Sequence, residues 1–458
     1  MTSPVSVGRE LRLADLHPAL TDPVMESAIF LNEVAARYPE AIPLAAGRPY
    51  DGFHDPAELT DLLVTYQRHL GEERGLSRAE ITRQMFQYGR TAGHIHELVA
   101  QTLANDTGLR VAPESIVVLT GAQEGMLVTV RALAARPDDV ILVPSPCYIG
   151  MLGAASLLGV PVVGIAEGPD GLTATDVVAT ARRVRAAGRR PRAVYVVPNF
   201  SNPSGHTMTR AERVALLAAA ESEGLLIIED DPYGFLADPA YREPPLKALD
   251  RSGVVIHIGT FAKTCFPGAR VGYVVADQIV RGPDGSRSCL ADQLALIRSM
   301  ITVNTSSLAQ AVIGGMLVRS GCRLDTANAE RIRFYRANLA TLLEGLEQQF
   351  GPERRRGVLS WNVPAGGFFV VLTVPFVADE RLLTYCADRY GVLWTPMSYF
   401  YPDGGGGHQL RLSCSALAPD QIREGVRRLA QMVREQIIGP DVSAGGAPYR
   451  DPARRSGL

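Results

Sequence analysis

From about residue 115 to 276 the chain alternates short apolar runs with stretches of helical periodicity. The runs fall at 116–119, 140–143, 160–165, 193–197, 225–229, 254–258 and 271–275, and they are rich in Val and Ile. Between them, 123–135, 173–187 and 210–223 carry Ala, Leu and Arg at helical spacing. Apolar runs without polar alternation are strands buried on both faces, which predicts an α/β fold: a mostly parallel seven-stranded sheet between helices. Beyond it, 325–350 reads as one long helix leading to a smaller α+β domain. That domain holds 357–374, a helix near 379–390, 391–396, 409–413 and a closing helix over 419–437. An N-terminal helix is expected over 25–36. The predicted division is 1–84 as N-terminal arm and part of the small domain, 85–330 as the large domain, 331–438 as the small domain and 439–458 as a disordered tail.

Parallel sheets of this kind bind ligands at the carboxyl ends of their strands. The conspicuous residues gather there: Gly121 to Gln123, Tyr148, the stretch 199–205, Asp230 to Tyr233, and Lys263.

Composition narrows the class. Apolar content of 46% with 21% charge is ordinary for a globular protein, and a net charge of −2 argues against nucleic acid or an anionic membrane as partner. No signal-peptide core and no bilayer-length apolar run is present, and six scattered cysteines form no Cys-x-x-Cys pair, which together predict a cytoplasmic protein without a metal site. The basic residues say more. Of 46, only Lys247 and Lys263 are lysines. Arg stays protonated at any biological pH, whereas a desolvated Lys can lose its proton and attack a carbonyl, so a lysine retained in an Arg-rich chain points to chemistry. Lys263, in a Gly-bounded small-residue segment after an apolar run, fits a Schiff-base lysine. Lys247, in Glu-Pro-Pro-Leu-Lys, reads as a surface charge.

A Schiff-base lysine needs an aldehyde, and pyridoxal 5′-phosphate is the usual one. Thr120-Gly121-Ala122-Gln123 follows a strand and opens a helix, so free backbone N–H groups face an anion. Arg270 and Thr260 can add a charge and a hydroxyl for the phosphate. Asp230 ends an apolar strand, where a buried carboxylate needs a cation such as a protonated pyridine nitrogen; Asp231 fits an N-cap better. Asn202 and Tyr233 can donate to a ring oxygen, and Tyr148 offers a flat stacking surface.

In this order the motifs Gly47-Arg48-Pro49, Gly121-Ala122-Gln123, Asn202-Pro203-Ser204-Gly205, Asp230-Asp231-Pro232-Tyr233, Lys263 through Arg270, Gly366-Gly367-Phe368-Phe369 and Arg411-Leu412-Ser413 resemble a fold-type I pyridoxal-phosphate enzyme of the class I/II aminotransferase family, near its 2-aminoadipate and kynurenine branch. The resemblance covers about residues 25–437. It implies transfer of an α-amino group between an L-amino acid and a 2-oxo acid, with Lys263, Asp230 and Tyr233 catalytic. It implies that Arg411 clamps the substrate carboxylate beside Gly47 and Asn202; Arg48 or Arg298 are the next candidates should Arg411 not bind it. Tyr88 matches a tyrosine that reaches the neighbouring subunit's phosphate, implying a homodimer with shared active sites, and Asn304-Thr305-Ser306 matches a further cross-subunit contact. Phe30 is expected to cap the pocket. The chain departs from the pattern at Ala262, at His94-Ile95-His96 and at Pro396-Met397. Those departures leave open an alternative on the same cofactor: elimination, replacement, carbon–carbon bond formation or oxidation in a specialised pathway.

Overall fold

Seven strands lie side by side in the spatial order Ile116–Leu119, Gly272–Val275, Val255–Thr260, Leu226–Asp231, Arg190–Val196, Asp139–Ser145 and Val162–Ala166. The computed structural model describes residues 11–168 and 171–438, without the side chains of residues 26 and 28–32; Phe30 and the tail 439–458 lie outside what it describes. Pairing is parallel except for Gly272–Val275, which runs antiparallel to both neighbours. The sheet is therefore the mixed, mostly parallel one that the apolar runs predict. Its inner strands are buried at nearly every position, which is why their side chains are mostly apolar and a polar one there needs a partner.

The covering helices begin where the chain supplies caps. Thr173 accepts a hydrogen bond from Asp176 N ahead of Ala174–Ala186, and Thr209 and Glu212 form a reciprocal capping box ahead of Arg210–Ser222, each cap worth about 1 kcal/mol. Helices Glu58–Arg68 and Arg78–Phe86 were not foreseen. Their Tyr66 and Met85 share a core with Ile116, Val118 and Val275 of the large sheet and with Ile313 of helix Ser307–Arg319.

The long helix expected over 325–350 is divided: Leu324–Ala327 ends at Asn328, and Ala329–Arg355 runs on. Its far half packs with helices Glu380–Tyr390 and Pro419–Ile438 against a four-stranded antiparallel sheet ordered Ser360–Trp361, Phe369–Thr373, Gln409–Ser413, Thr395–Pro396. The N-terminal segment joins this smaller body, because Ile42–Pro43 pairs in parallel with Val392–Leu393. Residues 44–48 are then stitched down: Ser413 N donates to Leu44 O at 2.6 Å, Ser413 Oγ to Ala46 O at 2.6 Å and Ser415 Oγ to Arg48 O at 2.6 Å. This stitching carries Gly47 to the carboxyl edge of the large sheet.

Candidate active site

Gly121 precedes helix Ala122–Leu133 with φ 83° and ψ 167°, a backbone region open essentially to glycine alone. A Cβ there would lie 2.5 Å from the Arg270 guanidinium. Arg270 itself sits at φ 51° just after the turn Pro267–Ala269. A helix N-terminus, a bare glycine and a guanidinium thus converge, a ready site for a phosphate dianion. Thr260 ends its strand beside them, with Oγ1 accepting from Ala262 N at 3.1 Å. The Gln123 side chain is used elsewhere, donating to Gly150 O at 2.7 Å, so this residue offers its backbone.

One strand over from Thr260, Asp230 is the penultimate residue of Leu226–Asp231 and is 3% exposed. Its Oδ2 accepts from Tyr195 OH at 2.7 Å, while its Oδ1 is buried with no hydrogen-bond partner among the described residues. Burial is the main cause that lifts this carboxyl to about 7. Its neighbour Asp231 is satisfied structurally, accepting from Asn199 Nδ2 at 2.8 Å and from Gly234 N at 2.9 Å. Lys263 Nζ donates to Gly47 O at 2.7 Å, and burial together with the Arg411 and Arg270 charges brings the amine down to about 8. Tyr148 and Tyr233 close this space. Burial pushes the Tyr148 phenol up to about 12 and the Tyr233 phenol up as well, so both remain O–H donors at neutral pH.

Arg411, in the middle of Gln409–Ser413, is 4% exposed, and its guanidinium lies between the rings of Phe369 at 4.2 Å and Phe400 at 4.9 Å. It donates to Asn202 Oδ1 at 2.5 Å, to Ala45 O at 3.0 Å and to Thr395 Oγ1 at 3.2 Å. Its Nε has no partner, and no carboxylate among the described residues pairs with it. Desolvation depresses it to about 10, because burial penalises the guanidinium's charge.

The structure brings Gly47, Gly121, Ala122, Tyr148, Asn202, Asp230, Tyr233, Thr260, Lys263, Arg270 and Arg411 to one edge, as hydrogen bonds and mutual charge effects among them record. Tyr88 is not with them: it is 86% exposed, in the segment that carries Gly89 past Asn304. His94 is interior, its Nδ1 2.9 Å from Tyr66 OH and its basicity lowered by burial to about 4, and His96 opens helix His96–Thr107. Neither substitute for Arg411 is available. Arg298 is held by Glu124, Thr305 and Thr91 O, and exposed Arg48 faces Asp51. Lys247, read as a surface charge, is instead 6% exposed, with Nζ 2.5 Å from Asp277 Oδ1 and 3.7 Å from Asp250 Oδ2, so it is a buried anchor between two carboxylates.

Two contributors escaped the sequence. Tyr195 holds Asp230, and Thr395, across the small sheet from Arg411, holds its guanidinium. Tyr195 did leave a signal: a tyrosine inside the all-apolar run Ala-Val-Tyr-Val-Val needs a buried partner for its hydroxyl. Thr395 left none.

Comparison with known proteins agrees with this geometry. The family described as aminotransferase class I and II matches residues 40–429. The chain is 46% identical over 433 residues to (S)-3,5-dihydroxyphenylglycine transaminase of Amycolatopsis orientalis, covering 94% of this chain and 96% of that one. It is 30% identical to aromatic-amino-acid aminotransferase 1 of Thermococcus litoralis over 77% of this chain and 81% of the relative. Among solved structures, the Pyrococcus horikoshii kynurenine aminotransferase in complex with PMP superposes with a TM-score of 0.76 at 27% identity, covering 91% of this chain and 95% of that one. Transaminases recur among these relatives, which leaves the alternative chemistries without support.

Proposed function

Because the chain belongs to the aminotransferase class I and II family, and so is a pyridoxal-phosphate-dependent aminotransferase, we propose that its amino donors are aromatic amino acids, those with an aryl ring directly on Cα among them. The observation that carries this reading is Arg411, a buried cation lying between Phe369 and Phe400 with an unused Nε. A substrate carboxylate docked on it would lie beside a cluster of aromatic rings, since Tyr233 packs on both Phe368 and Phe369. The identity shared with a dihydroxyphenylglycine transaminase and with an aromatic-amino-acid aminotransferase supports the same class.

The donor set fits pyridoxal phosphate. The unpartnered Asp230 Oδ1 suits a protonated ring nitrogen, the Gly121–Arg270 cradle suits the phosphate, and Asn202 and Tyr233 suit the ring hydroxyl. Tyr148 would lie against the ring, Thr260 would add a phosphate donor, and Gly47 would border the substrate. When bound, the cofactor supplies a reactive aldehyde and a ring that withdraws electrons from the substrate. Lys263 does the proton work. Burial disfavours the charged form of its amine, and in its neutral form the amine would take the proton from the substrate Cα. Arg411 fixes the carboxylate and thereby selects which Cα bond is labile, while Asp230 keeps a negative charge where a positive one is needed.

The protein works as a homodimer in this reading, with exposed Tyr88 reaching the partner's phosphate, in support of which Phe86 and Met300 are also exposed, 73% and 84%. The large domain is best taken as 58–328, since helices 58–86 share its core, and the small one as 38–48 with 329–438. Six free cysteines, and no helix among the described residues long and apolar enough to cross a membrane, are in keeping with a cytoplasmic location.

The test is a donor panel. Purified protein with cofactor is mixed with phenylglycines, phenylalanine, tyrosine, 2-aminoadipate and alanine, and loss of the bound aldehyde's absorbance is followed. Faster conversion by 2-aminoadipate or alanine than by every aromatic donor would overturn the assignment.

A further inference from the structure

We propose that Tyr195 is a positioning residue that sets the ionisation of Asp230, and through it the strength with which the protein grips the cofactor's ring nitrogen. The inference rests on Asp230 facing that nitrogen, as argued above.

Asp230 has two oxygens in two different situations. Oδ2 is tied to Tyr195 OH at 2.7 Å, and Oδ1 is buried without a partner. Tyr195 stands on the neighbouring parallel strand, is fully buried, and packs in the same apolar core as Cys147, Ile228, Tyr233 and Phe368. Its ring cannot swing to water, so the donor is fixed. The arrangement leaves the carboxylate free to rotate only about an anchored oxygen, which aims the other one into the site.

The charged and titratable groups facing Asp230 come from every neighbouring element. On its own strand Glu229 and Asp231 repel its negative charge, and from the next strand His257 favours it while pairing with Glu229 at 2.8 Å. From the site side come Tyr148, Tyr233 and Cys147, whose ionisation Asp230 opposes, and Lys263, whose charge it favours. Among the described residues Tyr195 is the side chain that hydrogen-bonds to Asp230, and it stabilises the charged form. Burial raises the Tyr195 phenol far above its ordinary value, so it donates across the working range.

The sign follows. A donor to the ionised form lowers the pKa of Asp230, and deleting that donor raises it. A charge-assisted hydrogen bond changes an ionisation constant ten- to a hundredfold, roughly one to two pH units. In Tyr195→Phe the acidic limb of cofactor affinity, where Asp230 takes up a proton, should therefore move to higher pH by about that amount.

The experiment measures the dissociation constant of pyridoxal phosphate from the holoenzyme as a function of pH, by dilution and fluorescence of the released cofactor. Wild type, Tyr195→Phe, Asp230→Asn and a protein carrying 3-fluorotyrosine at position 195 are compared. The fluorinated phenol is a stronger donor, so its limb should move to lower pH, opposite to Phe, and it keeps the test alive should the Phe variant fold poorly. Asp230→Asn should bind weakly at every pH and lose the limb. Uniform weakening of Tyr195→Phe without a shift, or a fluorotyrosine limb that overlays wild type, would overturn the inference while Asp230 keeps its role. An Asp230→Asn protein that binds as wild type does would remove the role of Asp230 itself, and the inference with it.

Discussion

Replacing Arg411 with Lys keeps the charge and removes the fork. The guanidinium lies between two phenyl rings and spends its Nη groups on Asn202, Ala45 O and Thr395, which leaves Nε and one face of the fork for a carboxylate. An ammonium offers a point charge that cannot serve those partners and a planar ligand together. The loss in binding is one charge-assisted hydrogen bond, about 1.5–3 kcal/mol, which corresponds to roughly 10- to 150-fold in Kd. Weakened stacking on Phe369 and Phe400 acts on free and bound enzyme alike and largely cancels. A 2-methyl amino acid can exchange with Lys263 on the bound aldehyde but has no α-proton to lose, so titrating it into holoenzyme and following the cofactor's absorbance reads binding without turnover. Cofactor affinity should stay within about threefold of wild type, because phosphate and ring are held by Gly121, Arg270 and Asp230 and not by Arg411. Overlapping titration curves would refute the carboxylate role. A parallel loss of cofactor and ligand affinity would show that Arg411 supports the whole site and not the substrate alone.

Other outcomes follow from the same geometry. Thr395→Val, which removes one hydroxyl beside Arg411, should raise KM several-fold at nearly constant kcat, and an unchanged KM would show the bond to be idle. Gly121→Ala, at φ 83° and facing Arg270, should lower cofactor affinity at least tenfold and stability by about 1–3 kcal/mol, read by dialysis and thermal melting. Lys263→Met should abolish transamination yet raise the Tm of cofactor-free protein. The wild-type amine, ordinarily near 10.5, is held near 8 in the fold, so its charge opposes folding fully below about 8 and this cost fades by 10.5; the gain in Tm should fade over the same window. Mixing the separately inactive Lys263→Met and Tyr88→Ala proteins should restore roughly a quarter of wild-type activity if each site draws on both protomers; no recovery after subunit exchange would place Tyr88 outside the site.

The alternation of apolar runs with helical stretches was enough to specify the large sheet, because a strand buried on both faces tolerates little else, and all seven runs overlap observed strands. The scarcity of lysine singled out Lys263, and the chemistry of turns between strands and helices marked Gly121, Asp230 and Asn202, since each needs a particular side chain, or none, at its place. Helices 58–86 carry local signals, Leu59, Leu62, Leu63 and Tyr66 at helical spacing and a Ser77–Glu80 capping box, but which body they join is decided only by packing against Ser307–Arg319 and the large sheet's core. Lys247 was misread for the same kind of reason. Nothing near it in sequence betrays Asp277, thirty residues on, which pairs with it.

What the chain by itself determined is local: which segments are strands, where they end, and which residue types stand at those ends. What tertiary structure decided is which of these ends meet. Arg411 and Asn202 are 209 residues apart, Lys263 and Gly47 216, and Tyr195 and Asp230 35. A hydrogen bond needs its partners within about 3 Å with its donor aimed, a condition set by the packing of sheets and helices and not by sequence spacing. The protonation of Lys263 and Asp230 is decided largely at the same level: burial is the main cause for both, the Arg411 and Arg270 charges add to it at Lys263, and only the flanking Glu229 and Asp231 act on Asp230 from within its own strand.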